Sequence, residues 1–302
     1  MQTRWNDAQL TTQIESKVWT ASSIVRRYLH LLASGDPGCD WPTFVRARHL
    51  PERVDRVLVL GCGSGWLDRA LAKKPGIGSI VACDFAQAAV ERAHEQAAAE
   101  GLSRISYRVV DLERDPLPGG LFDVVFANDV LHHINNLEGL YGRVRESLGS
   151  GGKFIFNEYV GPNRFQFSDA RMDLINRYMR MLPDRLRYDP CLKIVLRRKE
   201  RLDPAKVEQE DPTEAIRSED VLPVARRFFQ PEAEYPYGGG LLSPLLYEII
   251  VNFDESNPED ARFLQVFCDA EDRLIRSGHL EPDFWIFVGT PVPPAPIQNA
   301  RG

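Results

Sequence analysis

Arg56-Val57-Leu58-Val59-Leu60-Gly61-Cys62-Gly63-Ser64-Gly65 is the stretch whose reading decides the fold. Val57 to Leu60 is a short apolar run of branched residues, the pattern of a strand buried on both faces in a parallel sheet. It runs directly into glycines at alternate positions. Gly61, Gly63 and Gly65 let the backbone turn with positive φ and approach a ligand without a Cβ in the way. Trp66 to Lys74 then has a helical pattern, so the turn offers backbone N–H groups at a helix N-terminus. That is the layout of a nucleotide-type binding turn.

Working outward, Ser79 to Asp84 reads as a second buried strand that ends in an acid 19 residues beyond Gly65. A carboxylate about 20 residues past a glycine loop is placed to accept ribose hydroxyls. Ala86 to Gly101 reads as a helix, with Ala89, Val90, Ala93, His94 and Ala97 on one face and Gly101 as its stop. A third strand, Ile105 to Val110, ends in Asp111-Leu112. A fourth, Phe122 to Ala127, leads into Asn128-Asp129-Val130-Leu131-His132-His133. After a helix from Leu137 to Leu148, a fifth strand, Lys153 to Asn157, is capped by Glu158. All five strands carry glycine or polar residues at their carboxyl ends, where open α/β sheets bind ligands. A dinucleotide fingerprint requires a third glycine where this chain has Trp66, whose indole would block close approach of a pyrophosphate.

Gly-x-Gly-x-Gly, the spaced Asp84, Asp111 and the Leu-His-His stretch, in this order, resemble the class I S-adenosylmethionine (SAM) dependent methyltransferases over residues 54 to 161. The likeness continues more loosely at Ser218 to Phe229, which is similar to that family's last helix, then at Gln230 to Tyr237 and Asp283 to Gly289 as strands six and seven. It implies an α/β, doubly wound, Rossmann-like seven-stranded sheet of order 3-2-1-4-5-7-6 with strand 7 antiparallel. S-adenosyl-L-methionine is the implied cofactor. Its implied contacts are Leu60, Gly61, Cys62, Gly63, Ser64, Gly65, Asp84, Phe85, Asp111, Leu112, Asn128, Asp129 and Val130, with Asp111 on the adenine amino group. The chain divides into an N-terminal helical arm or lid (1–50), the cofactor-binding core (51–161), a basic helical cap (162–217), the end of the core (218–290) with a helical insertion at 240–280, and a tail (291–302). Trp5 and Trp19 are candidate lid aromatics, with ordinary packing as the alternative.

Composition sets further bounds. Apolar residues make up 43% of the 302, ample for a core. No apolar run reaches membrane-spanning length and the start of the chain lacks a signal-peptide pattern, so a cytoplasmic location is expected. Cys39, Cys62, Cys83, Cys191 and Cys268 form no Cys-x-x-Cys pair, which argues against a disulfide framework or a zinc site, and no His-Glu-x-x-His or clustered acid triad points to a metal, so a metal-free reaction is expected. Residues 162–206 hold twelve Lys or Arg against six Asp or Glu within a chain of net charge −6. This excess is read as a cap drawing an anionic acceptor or a membrane surface, with Arg164, Arg171, Arg197 and Arg198 as steering cations; a solvated helix face is the alternative. Ser168 caps a helix from Asp169 to Leu182 in this reading. Nucleic acid is not favoured as a partner, since the chain is acidic overall and strand four lacks the Pro-Pro-aromatic motif of base-methylating relatives. A homo-oligomer is left open.

SAM carries an activated methyl, so the protein must hold an acceptor in line with it and exclude water. A hydroxyl acceptor also needs its proton removed. His133 or His132 is the candidate base, with His133 slightly favoured, and Glu158 is its partner or a substrate ligand. The leading function is methyl transfer to an oxygen of a small molecule or a glycan or lipid precursor. A SAM-binding protein without methyl transfer is the alternative, and an NAD-dependent oxidoreductase is disfavoured by Trp66.

Overall fold

The computed structural model describes residues 18–293. Trp5 and the last nine residues of the expected tail lie outside that range. The central sheet comprises β1 (Val54–Leu60), β2 (Ile77–Asp84), β3 (Ile105–Val109), β4 (Phe122–Asn128), β5 (Leu148–Tyr159), β6 (Phe229–Pro236) and β7 (Phe284–Pro291). Their order is β3-β2-β1-β4-β5-β7-β6. The first five pair in parallel, and β7 runs antiparallel to both β5 and β6. The fold class expected from the sequence is therefore the one observed.

The reason is visible in β1. Val57 to Leu60 are all essentially inaccessible to solvent; Val57 and Val59 join the core on one face of the sheet, Leu58 and Leu60 the core on the other. Only a strand covered on both sides makes every position of such a run apolar. The helices that cover it include Trp66–Ala72, Gln87–Ala99, Leu137–Ser147 and Val221–Phe228. Because the first five strands are parallel, their carboxyl ends, and the loops that follow, share one edge.

Two additions flank that edge. The N-terminal helices Ser23–Ser34 and Trp41–His49 are capped by Ser22 and Asp40, which accept from Val25 N and Thr43 N. Trp19 is buried against Phe284, with ring centroids 5.3 Å apart, so it serves packing rather than a lid. Residues after β5 include the helix Asp169–Met179, started by Ser168 as expected but ending before Leu182. The same segment holds a small antiparallel ribbon, Tyr188–Asp189 with Ile194–Val195, where the sequence reading had only helix. Two-residue strands are too short to show a period. Between β6 and β7 lie the helices Leu242–Leu246 and Pro258–Arg276.

Buried charge ties these additions to the sheet. Arg171, in the helix after β5, donates to both carboxylate oxygens of Asp283 and to the carbonyl of Gly240, with the pair almost wholly shielded from water. Arg164 donates to the carbonyls of Pro212 and Glu214 at 2.6 and 2.7 Å. Both arginines are thus structural clamps and not steering cations, a correction to the charge-based expectation: a count of charges along a sequence does not reveal which are turned inward. Of the four, Arg197 and Arg198 are exposed. All five cysteines are free thiols.

Glu271 is fully buried and accepts from Gly239 N, Leu241 N and Leu242 N at 2.8–2.9 Å. Burial raises its carboxyl pKa, opposed by these donors. Removing it strands three backbone donors away from water. Glu271→Ala is therefore expected to lower the unfolding free energy by about 3–5 kcal/mol in chemical denaturation. A loss below about 1 kcal/mol would show that the loop re-satisfies its own N–H groups.

Candidate active site

The glycine loop follows β1 with three left-handed glycines, at φ 61°, 51° and 82° for Gly61, Gly63 and Gly65. They do different work. A Cβ on Gly61 would lie 2.4 Å from the Val130 side chain, and one on Gly65 2.9 Å from Ala93 Cβ, so these two permit close packing. A Cβ on Gly63 would meet nothing within 4 Å. The left-handed backbone there faces open volume, the space a bound group needs. Asp84, at the end of β2, accepts from Gly63 N and Ala86 N, both at 2.9 Å, and so braces the loop. Its pKa is raised by burial against the pull of those donors.

The other expected cofactor residues distribute around this loop. Leu60 and Cys62 are buried behind it, and Cys62 N donates to Cys83 O at 2.9 Å. Ser64 gives its carbonyl to Arg69 at 2.6 Å, and Phe85 is half-buried beside Asp84. Asp111, past the end of β3, is half-buried and accepts from Glu113 N at 2.9 Å in a local turn; Leu112 is buried. Asn128 bridges inward to Asn157 and outward to Asp129, donating to the Asp129 carboxylate at 2.9 Å.

At the ends of β4 and β5 the polar residues converge. Glu158 is fully buried; one oxygen accepts from Val130 N and Leu131 N, the other lies 2.7 Å from His132 Nδ1 and 2.8 Å from Tyr159 N. With every acceptor direction engaged inside the protein, Glu158 is an anchor for the loop after β4 and is not free to take a substrate group. On the far side of His132, Nε2 lies 3.6 Å from a carboxylate oxygen of Glu214. His133 Nδ1 lies 3.1 Å from Thr213 Oγ1, whose hydroxyl donates to Asp211 at 2.7 Å. Since that hydroxyl proton points to Asp211, the oxygen accepts from His133, which places the proton of a neutral ring on Nδ1 and the basic lone pair on Nε2.

The two imidazoles are driven apart electrostatically. Burial penalises a charged His132, but Glu158, by charge and hydrogen bond, together with Glu214 and Asp129, outweighs that penalty and raises its pKa to about 9. Burial and then the neighbouring His132 charge hold His133 below the ordinary range. At neutral pH the pair is one imidazolium beside one neutral ring, their centroids 4.3 Å apart. Asp129 is open to solvent on one side yet walled by protein; desolvation, then Glu158, raise its pKa to about 7, against the pull of His132 and Asn128.

Asp211, Thr213 and Glu214 were not anticipated. They sit on a turn in the segment after β5, and nothing in their local pattern connects them to two histidines about 80 residues earlier. The turn is held down firmly: Ile216 N donates to His132 O at 3.1 Å, and Arg164 N to Ala215 O at 2.8 Å. Among the described residues, six that are not glycine have positive φ, and four of them, Asp129, Arg164, Phe165 and Ala215, belong to this region. Backbone strain of that kind persists where surrounding structure over-determines it, and it concentrates at functional sites. His132, His133 and Glu214 also bring ligand atoms within 4.8 Å of one another, a spacing able to receive a cation if the His132 proton is displaced.

Residues 58–156 match the profile of a family described as a methyltransferase domain. Together with the sheet order, this decides the class. Residues 58–156 thus carry a methyltransferase domain, in a sheet with the strand order of the class I SAM-dependent enzymes. The chain is 32% identical over 124 residues, 41% of its length, to polyketide synthase ThaQ of Burkholderia thailandensis, of which the match covers 6%. It is 29% identical over 136 residues to the malonyl-[acyl-carrier protein] O-methyltransferase of Legionella pneumophila, covering 45% of this chain and 46% of that one. These matches thus span less than half of the relatives' own lengths. In three dimensions it is similar to the geranyl diphosphate C-methyltransferase of Streptomyces coelicolor, solved with Mg2+, geranyl diphosphate and S-adenosyl-L-homocysteine, with a TM-score of 0.51, 12% identity, and coverage of 82% and 76% of the two chains. At that identity the likeness concerns the fold.

The charged His132 makes a pH-dependent contribution to stability. Its pKa is raised on folding, so the contribution is complete below the unfolded value of about 6.5 and is lost as pH rises through about 9. Denaturation measured at pH 6.5, 8 and 9.5 is expected to show that decline in the wild type and to lose this component in His132→Gln. The imidazole of His132, followed by NMR, should titrate well above that of His133. A His132 that titrates near 6 would remove the imidazolium from the site.

Proposed function

We propose that this methyltransferase transfers the methyl group of SAM to an oxygen of a small-molecule or glycan or lipid-precursor acceptor, with proton removal by His133. The observation that carries this reading is the pairing of the open, left-handed Gly63 with Asp84 on the same carboxyl edge of the parallel strands that carries a neutral histidine after β4. Asp84 and the loop from Leu60 to Gly65 would hold the cofactor, with Phe85, Asp111, Leu112, Asn128 and Val130 around it. When bound, SAM supplies an electrophilic methyl on a sulfonium.

The remaining chemistry belongs to the protein. His133 Nε2 accepts the acceptor's hydroxyl proton, while Nδ1–H stays fixed on Thr213 and Asp211. His132 remains an imidazolium between Glu158 and Glu214; burial and then this neighbouring charge keep His133 neutral, the form that acts as a base. Asp129, whose carboxyl pKa is raised to about 7 by burial and then by Glu158, would lie beside the histidine pair, where it could meet either the cofactor or the acceptor. The likeness to methyltransferases acting on malonyl-acyl carrier protein supports a small-molecule or carried acceptor over nucleic acid. A role in SAM binding without transfer is separated from this reading by one experiment: incubation with methyl-labelled SAM and a panel of hydroxylated and carboxylated acceptors, in which label must appear on an acceptor.

Cofactor binding is tested first by calorimetry. Asp84→Ala should weaken SAM binding by about 1.5–3 kcal/mol, the worth of hydrogen bonds to a charged group. Gly63→Val should abolish it in a protein that still folds, because the side chain strains a left-handed backbone and fills the open volume. Normal affinity in both variants, or tight NADH binding with none for SAM, would sink the assignment.

Catalysis is tested separately. With an acceptor in hand, His133→Ala should lower kcat by about 10²–10⁴-fold with SAM affinity intact. Turnover in the wild type should rise with pH through a group below the ordinary histidine range, since the neutral ring is the active form. A loss of less than about threefold would indicate catalysis by proximity alone.

A further inference from the structure

The ribbon Tyr188–Val195 presents apolar side chains outward. Leu192 is 64% exposed, Ile194 51% and Val195 40%. Single exposed apolar residues need no explanation, but a run of them on one projecting turn does. The turn is also built rather than slack. The buried carboxylate of Asp189 accepts from Cys191 N and Leu192 N at 2.8 and 3.1 Å, and Lys193 N donates to Asp189 O at 2.8 Å. Leu196 N donates to Arg187 O at 2.9 Å, closing the base, and Asn252 donates to Tyr188 O at 2.6 Å, fixing the ribbon to the insertion between β6 and β7. Lys193 adopts a left-handed backbone at φ 56°. The fold thus spends a buried carboxylate and a strained residue on holding Leu192 and Ile194 in water.

Charge identifies what they meet. Lys193, Arg197 and Arg198 are exposed next to the aliphatic tip within a chain of net charge −6; Lys199 is turned onto Glu248, and Glu200, 4.0 Å from Arg198, is the one acid between Lys193 and Arg201. A local positive patch on an otherwise acidic protein is drawn to an anionic surface. The tip is a projecting turn with small aliphatic groups, suited to entering a fluid interface rather than to enclosing a partner's side chain. Tyr188, 38% exposed at the ribbon's base, is the residue type that settles at headgroup depth.

We propose that the ribbon tip, Leu192 and Ile194 flanked by Lys193, Arg197 and Arg198, is a docking site for an anionic lipid bilayer. The site lies outside the glycine loop and the histidine pair, so it stands independently of the acceptor and of the base assigned above. It would hold the protein at the membrane surface without crossing it; among the described residues no helix is long and apolar enough to span.

The test is co-sedimentation of the full chain with vesicles of phosphatidylcholine alone or mixed with about a quarter phosphatidylglycerol. Binding is expected to the anionic vesicles and to fall with added salt. Leu192→Ser with Ile194→Ser should reduce the partition coefficient about tenfold, and Arg197→Glu with Arg198→Glu by at least as much. Both double variants should keep wild-type SAM affinity and far-UV circular dichroism, which confirms that they fold. Absence of binding to anionic vesicles overturns the proposal, as does binding unaffected by either double variant. Sensitivity to the charges but not to the aliphatics also overturns it, since that would be adsorption without insertion. Capture by an acidic carrier protein in place of the vesicles would assign the patch to a protein partner and likewise overturn it.

Discussion

Glu158 occupies the point through which the ends of β4 and β5 are organised. It arrives at the end of β5 without access to solvent, and one of its oxygens takes the two N–H groups of Val130 and Leu131 that the turn after β4 leaves unpaired. A carboxylate held this deeply is costly unless it is fully bonded and paired. The pairing charge is His132. Protonation of that ring compensates the buried anion, attracts Glu214 on the other side, and disfavours a second charge on His133. One buried carboxylate therefore sets the shape of the loop after β4 and the protonation states of both imidazoles.

The same logic of a carboxylate closing a loop recurs at Asp84 and Glu271. Asp84 fixes the glycine turn through Gly63 N, and Glu271 gathers the N–H groups of Gly239, Leu241 and Leu242. In each case a strand or helix ends in backbone donors with no partner in the regular structure, and an acid from another element supplies the acceptor. Rigid loops result at one edge of the sheet. Such preorganisation suits a reaction in which the protein's main task is to hold two groups in line.

The additions around the core shift the meaning of the local positive charge. Arg164 and Arg171 are consumed in fastening the segment after β5 to the rest of the molecule, and Arg185 is engaged with Glu259 and Asp260. Among the cations that remain exposed, Lys193, Arg197 and Arg198 accompany the aliphatic side chains of the ribbon. Charge that looked like a field over an acceptor pocket is, in three dimensions, partly internal bracing and partly a surface patch.

Sequence alone determined the sheet and its cofactor edge, because both are written in local pattern. A strand buried on two faces has to be apolar at every position, and a turn with φ above zero favours glycine, so Val57 to Gly65 announces itself; the same holds for Asp84 at the end of β2, Asp111 past β3 and Glu158 at the end of β5. The histidine pair was also legible as a candidate. Its division of labour was not, since the proton affinity of each ring depends on Glu158, Glu214, Asp129 and the Thr213–Asp211 pair, brought together from segments as much as 85 residues apart. Likewise, no periodicity marks the turn that carries Glu214, the inward fate of Arg164 and Arg171, or the two-residue strands of the ribbon. Those features follow from long-range contacts and from which charges lose water on folding, and only the tertiary structure decides them.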